Sequence, residues 1–142
     1  MSLRAFLDAN ILFTAAYNSQ GLARLLFDLQ KYKALSRLTS SLAIDEARIN
    51  LEIKKPSALD DLARLIEALE VVQTPARPPI VLDLPPKDLA IFAAAVAGRA
   101  THLLTGDKKH FGRYFNKPNR TAGIVIQTVQ AFFVENFGLT RL

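Results

Sequence analysis

The sequence contains no cysteine and no tryptophan, one methionine and two histidines. The lack of cysteine excludes a disulfide scaffold and any thiolate zinc site, and it fits a reducing compartment. No apolar run approaches the roughly 18 residues that a membrane-spanning helix needs. The opening stretch MSLRAFLDAN has Arg4 ahead of a short apolar run interrupted by an aspartate, with no cleavage region behind it. No secretory signal is expected from that pattern. Neither GxGxxG nor GxxxxGKS/T occurs, so the usual glycine-rich phosphate loops are missing as well. These absences lead us to expect a cytoplasmic protein that makes no membrane span.

What is present is a basic, apolar-rich chain. It has 142 residues, 50% hydrophobic and 22% charged, with a formal net charge of +5 and a pI near 9.7. That length and apolar content predict one domain, residues 1–142, with a packed core. The positive balance suits anionic partners, nucleic acid first among them.

Short apolar strands alternate with helices along the chain. RAFLD (4–8) reads as a buried strand. GLARLLFDLQKYKAL (21–35) places Leu22, Leu25, Leu26, Leu29 and Tyr32 on one helical face. LSRLTS (35–40) is a second strand. Ser40 or Ser41 then caps a helix that Pro56 limits. Ser57 opens another amphipathic helix, and VVQT (71–74) is a third strand. Five of the seven prolines fall between Pro75 and Pro86, which marks a connector with at most a brief extended piece at 80–82. PKDLAIFAAAVAGRA follows as a helix ending near Gly98, then the strands THLLT and GIVIQT, then a last helix closed by Gly138. Few strands alternate polar with apolar residues, as expected when both faces are covered. The pattern predicts a three-layer α/β/α sandwich around a mainly parallel sheet of four or five strands. Ligands in such sheets bind beyond the carboxyl ends of the strands.

Several carboxylates fall near those ends. Asp8 follows the first strand, where it can cap a helix or hold a ligand. Asn10, two residues on, can orient Asp8 or stabilise the turn. Glu46 borders the apolar face of its helix, whereas Asp45 points about 100° away and reads as a surface residue. Asp88 lies in the first turn of a helix, where the helix dipole favours an acid by no more than about 1 kcal/mol. Asp107 follows HLLTG and suits a turn. Asp83 is a fifth acid, inside the proline connector. Each has an ordinary local explanation, but together Asp8, Asp88 and Asp107 gather at one predicted sheet edge. Carboxylates held close repel one another unless a cation neutralises them. Oxygen donors without cysteine or clustered histidine favour Mg²⁺ or Mn²⁺ over Zn²⁺.

The segments FLDANIL, SLAIDEARINL, PPKDLAIFAAAVAGRATHLLTGDKKHF and GIVIQTVQAFF resemble the PIN-domain ribonucleases over residues 3 to about 133. The similarity is greatest to the small bacterial and archaeal members, including the toxins of VapBC-type toxin–antitoxin pairs. The resemblance implies that Asp8, Glu46, Asp88 and Asp107 are the four catalytic, metal-ligating acids. It implies that Asn10 and Thr105 shape the site, that the cofactor is Mg²⁺ or Mn²⁺, and that the substrate is RNA. A protein antitoxin and a homodimer belong to the same expectation. One departure is that Lys108 and Lys109 stand where many relatives carry a further acidic or polar residue.

The basic stretch KKHFGRYFNKPNR (108–120) carries five Lys or Arg and no acid. Lys108, Lys109, His110 and Arg113 are candidate phosphate contacts. Phe111, Tyr114 and Phe115 can stack on unpaired bases or anchor the loop to the core, and both readings stand. Lys54 and Lys55 either extend that patch or are plain surface. His102, at a strand start, reads as structural. Two other functions compete with a metal-dependent endoribonuclease. One is a non-catalytic RNA-binding or scaffold domain. The other is a phosphatase or nucleotide-binding protein, disfavoured because DAN lacks the second aspartate of the haloacid-dehalogenase-type motif.

Overall fold

The computed structural model describes residues 2–28 and 35–139. Five strands, β1 (Leu3–Leu7), β2 (Leu35–Ser40), β3 (Glu70–Val72), β4 (His102–Leu104) and β5 (Val125–Gln127), form one sheet in the order β3-β2-β1-β4-β5. Every pairing is parallel, with Phe6 opposite Leu38 on one side and Leu103 on the other. The flanking helices are α1 (Ala9–Tyr17), α2 (Leu25–Asp28), α3 (Ser41–Lys54), α4 (Leu59–Ile66), α5 (Pro86–Ala97), α6 (Lys108–Phe111) and α7 (Val129–Phe137). α1 packs on α3 and α4, whereas α5 lies against β2, β3 and β4. The expected α/β sandwich with a parallel sheet is what the chain forms.

The central strand explains why. Ala5, Phe6 and Leu7 are all fully buried, as a strand covered on both faces must be. The chain leaves β1 toward β2 on one side and later crosses to β4 on the other. The carboxyl ends of β1 and β4 therefore form the switch point of the sheet, where a crevice opens.

Local boundaries differ from expectation in instructive ways. β1 ends one residue earlier, because Asp8 leaves the strand to cap α1. Ser40 rather than Ser41 caps α3, accepting from the Ala43 amide. The stretch expected to be one helix over 21–35 begins as a 3-10 turn at Leu22–Arg24 followed by α2, and Leu35 belongs to β2. Leu29 and Tyr32 of that stretch lie outside the described residues. Ser57 falls within a 3-10 turn, Pro56–Ala58, that precedes α4. The proline connector forms no regular element, its 80–82 piece included, and α5 begins at Pro86, whose missing N–H costs nothing in a first turn.

Gly98 ends α5 for a packing reason. A Cβ there would stand 3.0 Å from methyl carbons of both Leu38 and Val72. The Arg4 guanidinium then donates to the Gly98 carbonyl at 2.8 and 3.2 Å, placing a cation at the helix C-terminus. His102 is structural as expected: its Nδ1 meets Thr101 Oγ1 at 2.8 Å and its ring stands edge-on to Phe132.

Candidate metal centre

The switch point is built by three residues that tie β1 to β4. Asp8 is 3% exposed. Its Oδ1 accepts from the Ala9 amide at 2.7 Å, and its Oδ2 accepts from Thr105 Oγ1 at 2.8 Å and Asn10 Nδ2 at 3.2 Å. Asn10 Nδ2 also reaches Thr105 Oγ1 at 3.1 Å, while its Oδ1 accepts from the Gly106 amide at 2.7 Å. The Asp107 amide closes the set by donating to Thr105 Oγ1 at 3.1 Å. Asn10 and Thr105 thus hold the Asp8 carboxylate, and Thr105 holds the Asp107 backbone beside it.

Asp107 caps the short α6. Its Oδ1 accepts from the His110 amide at 3.1 Å, and its Oδ2 meets His110 Nδ1 at 2.8 Å. Asp88, in the first turn of α5, brings Oδ2 to 3.4 Å from the same imidazole nitrogen. Ligand atoms of Asp88, Asp107 and His110 all lie within 4.8 Å of one another. Glu46, on α3, stands beside this group rather than in it: its carboxylate forms an ion pair with Lys87, the neighbour of Asp88. A cleft of about 190 Å³ lined by Asn10, Phe13, Glu46, Asn50 and Lys54 adjoins it. A larger groove of about 690 Å³ runs along the other side of α1, past Asn10, Thr14, Gly106 and Asp107.

The electrostatics follow from this crowding. Burial pushes the Asp8 carboxyl above the usual carboxylate range, and repulsion from Asp88 and Asp107 adds to that against the opposing hydrogen bonds of Thr105 and Ala9. Burial also raises Asp88, with Asp107 adding to the rise and His110 and Lys87 opposing it. For Asp107 burial again pulls upward, but the hydrogen bonds and charge of His110 outweigh it and hold the carboxyl low. Two acids that resist ionisation beside a third that favours it make a site short of positive charge. The carboxylate oxygens of Asp8, Asp88 and Asp107 are donors that suit a hard divalent cation such as Mg²⁺ or Mn²⁺, and the His110 nitrogen stands within the Asp88–Asp107 group. His110 Nδ1 already faces the carboxylates, so when protonated it is a counter-charge to them.

Of the four acids picked from the sequence, then, Asp88 and Asp107 come together with His110, Asp8 stands outside that close group but feels the charge of both and is tied to the Asp107 backbone through Thr105, and Glu46 is held on Lys87. Reasoning from sequence missed the places of His110 and Lys87. His110 had a local signal, its i+3 spacing from a capping aspartate. Lys87 had only its adjacency to Asp88. Of the basic loop, Lys108 and Lys109 open α6 at the site, whereas Arg113 pairs with Asp83 at 2.5 Å. Phe111 and Tyr114 are buried, and the Tyr114 hydroxyl accepts from the Asp83 amide at 2.8 Å. Those two rings anchor the loop to the core.

Comparison with known proteins gives a family and a fold. A family model described as PIN domain matches residues 4–109, a span that holds all four acids. No curated protein sequence matches the chain. Among solved structures, VapBC2 from Rickettsia felis, bound to a DNA fragment from their promoter, superposes with a TM-score of 0.62. It is 19% identical, and the match covers 89% of this chain and 98% of that one. VapBC-1 from nontypeable Haemophilus influenzae superposes with a TM-score of 0.58 at 15% identity, covering 90% and 99%.

Proposed function

The chain belongs to the PIN-domain family, and from that premise we propose that it is a metal-dependent endoribonuclease, the toxin of a toxin–antitoxin pair, working in the cytoplasm as a single domain over residues 1–142. One observation supports the reading: Asp88 and Asp107 meet beside His110 at the carboxyl end of a parallel sheet, with the buried Asp8 repelled by both and tied to the Asp107 backbone through Thr105. Asp8, Asp88 and Asp107 would hold Mg²⁺ or Mn²⁺, with Glu46 joining them on release from Lys87. Such an ion, when bound, supplies water activation and charge neutralisation at a phosphodiester.

The chain's own residues do the rest. Thr105 and Asn10 hold the Asp8 carboxylate in one orientation, so the site is preorganised. His110 keeps Asp107 ionised and aimed at Asp88. Lys108 and Lys109, at the start of α6, would meet backbone phosphates. Arg113 can join them by leaving Asp83. The fold shared with two VapBC structures supports an antitoxin as a partner and the toxin role for this chain. A homodimer fits the same reading.

The test is cleavage of single-stranded RNA by purified protein with Mn²⁺ or Mg²⁺. We expect cutting that EDTA abolishes and that Asp8→Asn or Asp107→Asn lowers by at least about a hundredfold, as for loss of a group acting on transition-state charge. Absence of cutting under all conditions sinks the proposal. A second reading, a non-catalytic RNA-binding or scaffold domain, draws on one observation: Glu46 and Asp107 already have partners within the chain, Lys87 and the His110 imidazole. RNA binding that EDTA leaves unchanged, without cleavage, would favour it.

A further inference from the structure

The carboxylate pole can cut a polymer only if something holds the strand across it. In the loop after Asp107, Phe111 and Tyr114 are buried and Phe115 is half-buried. A stacked pair of rings, one exposed and one half-buried, lies on α1. Phe13 and Tyr17, one helical turn apart, stack with centroids 5.3 Å apart and planes at 27°. Tyr17 is 43% exposed. The end of α3 sets an ammonium over each ring, Lys54 Nζ at 5.5 Å from the Phe13 centroid and Lys55 Nζ at 5.0 Å from that of Tyr17. Lys55 Nζ also donates to the Tyr17 carbonyl at 2.8 Å, which ties the two helix ends together. The cleft between α1 and α3 joins this strip to the pole, since Asn10 and Glu46 line one part of it and Phe13 and Lys54 another. From Asn10 to Tyr17 the helix rises about 10 Å.

We propose that the α1–α3 seam is a track for single-stranded RNA leading away from the carboxylate pole. Phe13 and Tyr17 are its base platform, and Lys54 and Lys55 grip its phosphates. The track rests on the nuclease reading and names where that substrate is held. Each ammonium sits on a flexible stem, so Lys54 can turn from Phe13 to a phosphate, and Lys55 can do so by exchanging its bond to the Tyr17 carbonyl, while the rings keep their apolar faces. A π-face beside a cation is what an unpaired nucleotide binds without regard to sequence. A duplex hides its base faces, so the seam selects single strands. An acidic peptide would answer the lysines but has no need of two stacked rings.

The test is fluorescence anisotropy of a short labelled single-stranded RNA with the full chain in EDTA, where no cutting competes. Tyr17→Ala is expected to weaken binding by about tenfold, the lower part of the range for one base–aromatic stack, and Tyr17→Phe to restore it. Lys54→Gln combined with Lys55→Gln is expected to make the slope of log K against log salt shallower by about 1.4, or about 0.7 per phosphate contact. Affinity and salt slope indistinguishable from wild type overturn the track, as does a loss confined to an acidic peptide probe. Cleavage with Mn²⁺ is assayed separately on the same proteins. If wild type cuts nothing while the binding losses persist, the nuclease reading fails and the track stands. If wild type and variants bind and cut alike, the track fails and the nuclease reading stands.

Discussion

Replacing Thr105 by valine tests whether the switch point is built around one hydroxyl. Valine keeps the β-branch, so the end of β4 is not disturbed by backbone preference. What disappears is an oxygen, fully buried at 0% exposure, that donates to Asp8 Oδ2 at 2.8 Å and accepts from Asn10 Nδ2 and the Asp107 amide. A hydrogen bond to a charged group contributes about 1.5–3 kcal/mol. Asn10 Nδ2 still reaches Asp8 Oδ2, so the Asp107 amide is the group left without this acceptor, at about 1 kcal/mol more. The expected loss is therefore about 2.5–4 kcal/mol where Asp8 is ionised. It shrinks toward acid pH, because the lost bond favoured the ionised form. Urea unfolding in EDTA at neutral and mildly acidic pH gives the measurement. Thr105→Ser is the control that keeps the oxygen and loses only a methyl, at about 1 kcal/mol. If valine and serine destabilise equally, the hydroxyl network is not what holds the site.

Apolar runs bounded by turn signals made the layered architecture readable, because a parallel sheet needs strands that are apolar on both faces. Ala5, Phe6 and Leu7 satisfied that demand without ambiguity. The element edges were less readable, since tertiary contacts choose them. β3 starts at Glu70, a residue too polar to suggest a strand, because its backbone pairs with Leu38 and its carboxylate meets Arg4 at 3.0 Å. Gly98 looked like an ordinary helix stop. It has φ −80°, and the left-handed turn falls to Arg99 at φ 57°. The glycine is there for its missing Cβ against Leu38 and Val72, a fact of packing that no local pattern encodes.

The acids show how local and long-range readings combine. A cap and a ligand were rival explanations for Asp8 and for Asp107, but a carboxylate has two oxygens. Each residue gives Oδ1 to a backbone amide and Oδ2 to the centre, Asp8 toward Thr105 and Asn10, Asp107 toward His110. Capping is thus how the chain aims the second oxygen, and a cap and a ligand role are compatible in one residue. Glu46 and Lys87 were beyond reach for the opposite reason. Their pairing joins α3 to α5, and nothing in either helix announces the other. The basic loop left two readings open because its aromatics look the same whether they stack on bases or fill a core, and Phe111 and Tyr114 fill the core.

Two further outcomes are expected. Gly98→Val should cost at least about 2 kcal/mol in urea unfolding, since the first added carbon already meets two core methyls at 3.0 Å; a loss too small to measure would mean that the α5 end can shift off the sheet. Asp8→Asn should show a pH-dependent gap from wild type in EDTA. The folded carboxyl lies above 3.8, raised first by burial and then by Asp88 and Asp107. Between 3.8 and that raised value the folded state holds the proton more tightly than the unfolded one. Asp8 therefore stabilises the fold at low pH, and this contribution is lost as pH rises through the folded value. Asparagine does not titrate, so the stability of wild type minus that of Asp8→Asn must fall as pH rises through that window. Any constant cost of fitting the amide beside Asn10 and Thr105 cancels from the slope. Adding Mn²⁺ at neutral pH should reverse the order, raising the Tm of wild type and leaving Asp8→Asn nearly unmoved, because an ion that binds only the folded state stabilises it by mass action. A gap that stays flat with pH would show that Asp8 is not a strained buried charge. An equal Tm response to Mn²⁺ in both proteins would remove Asp8 from the metal centre.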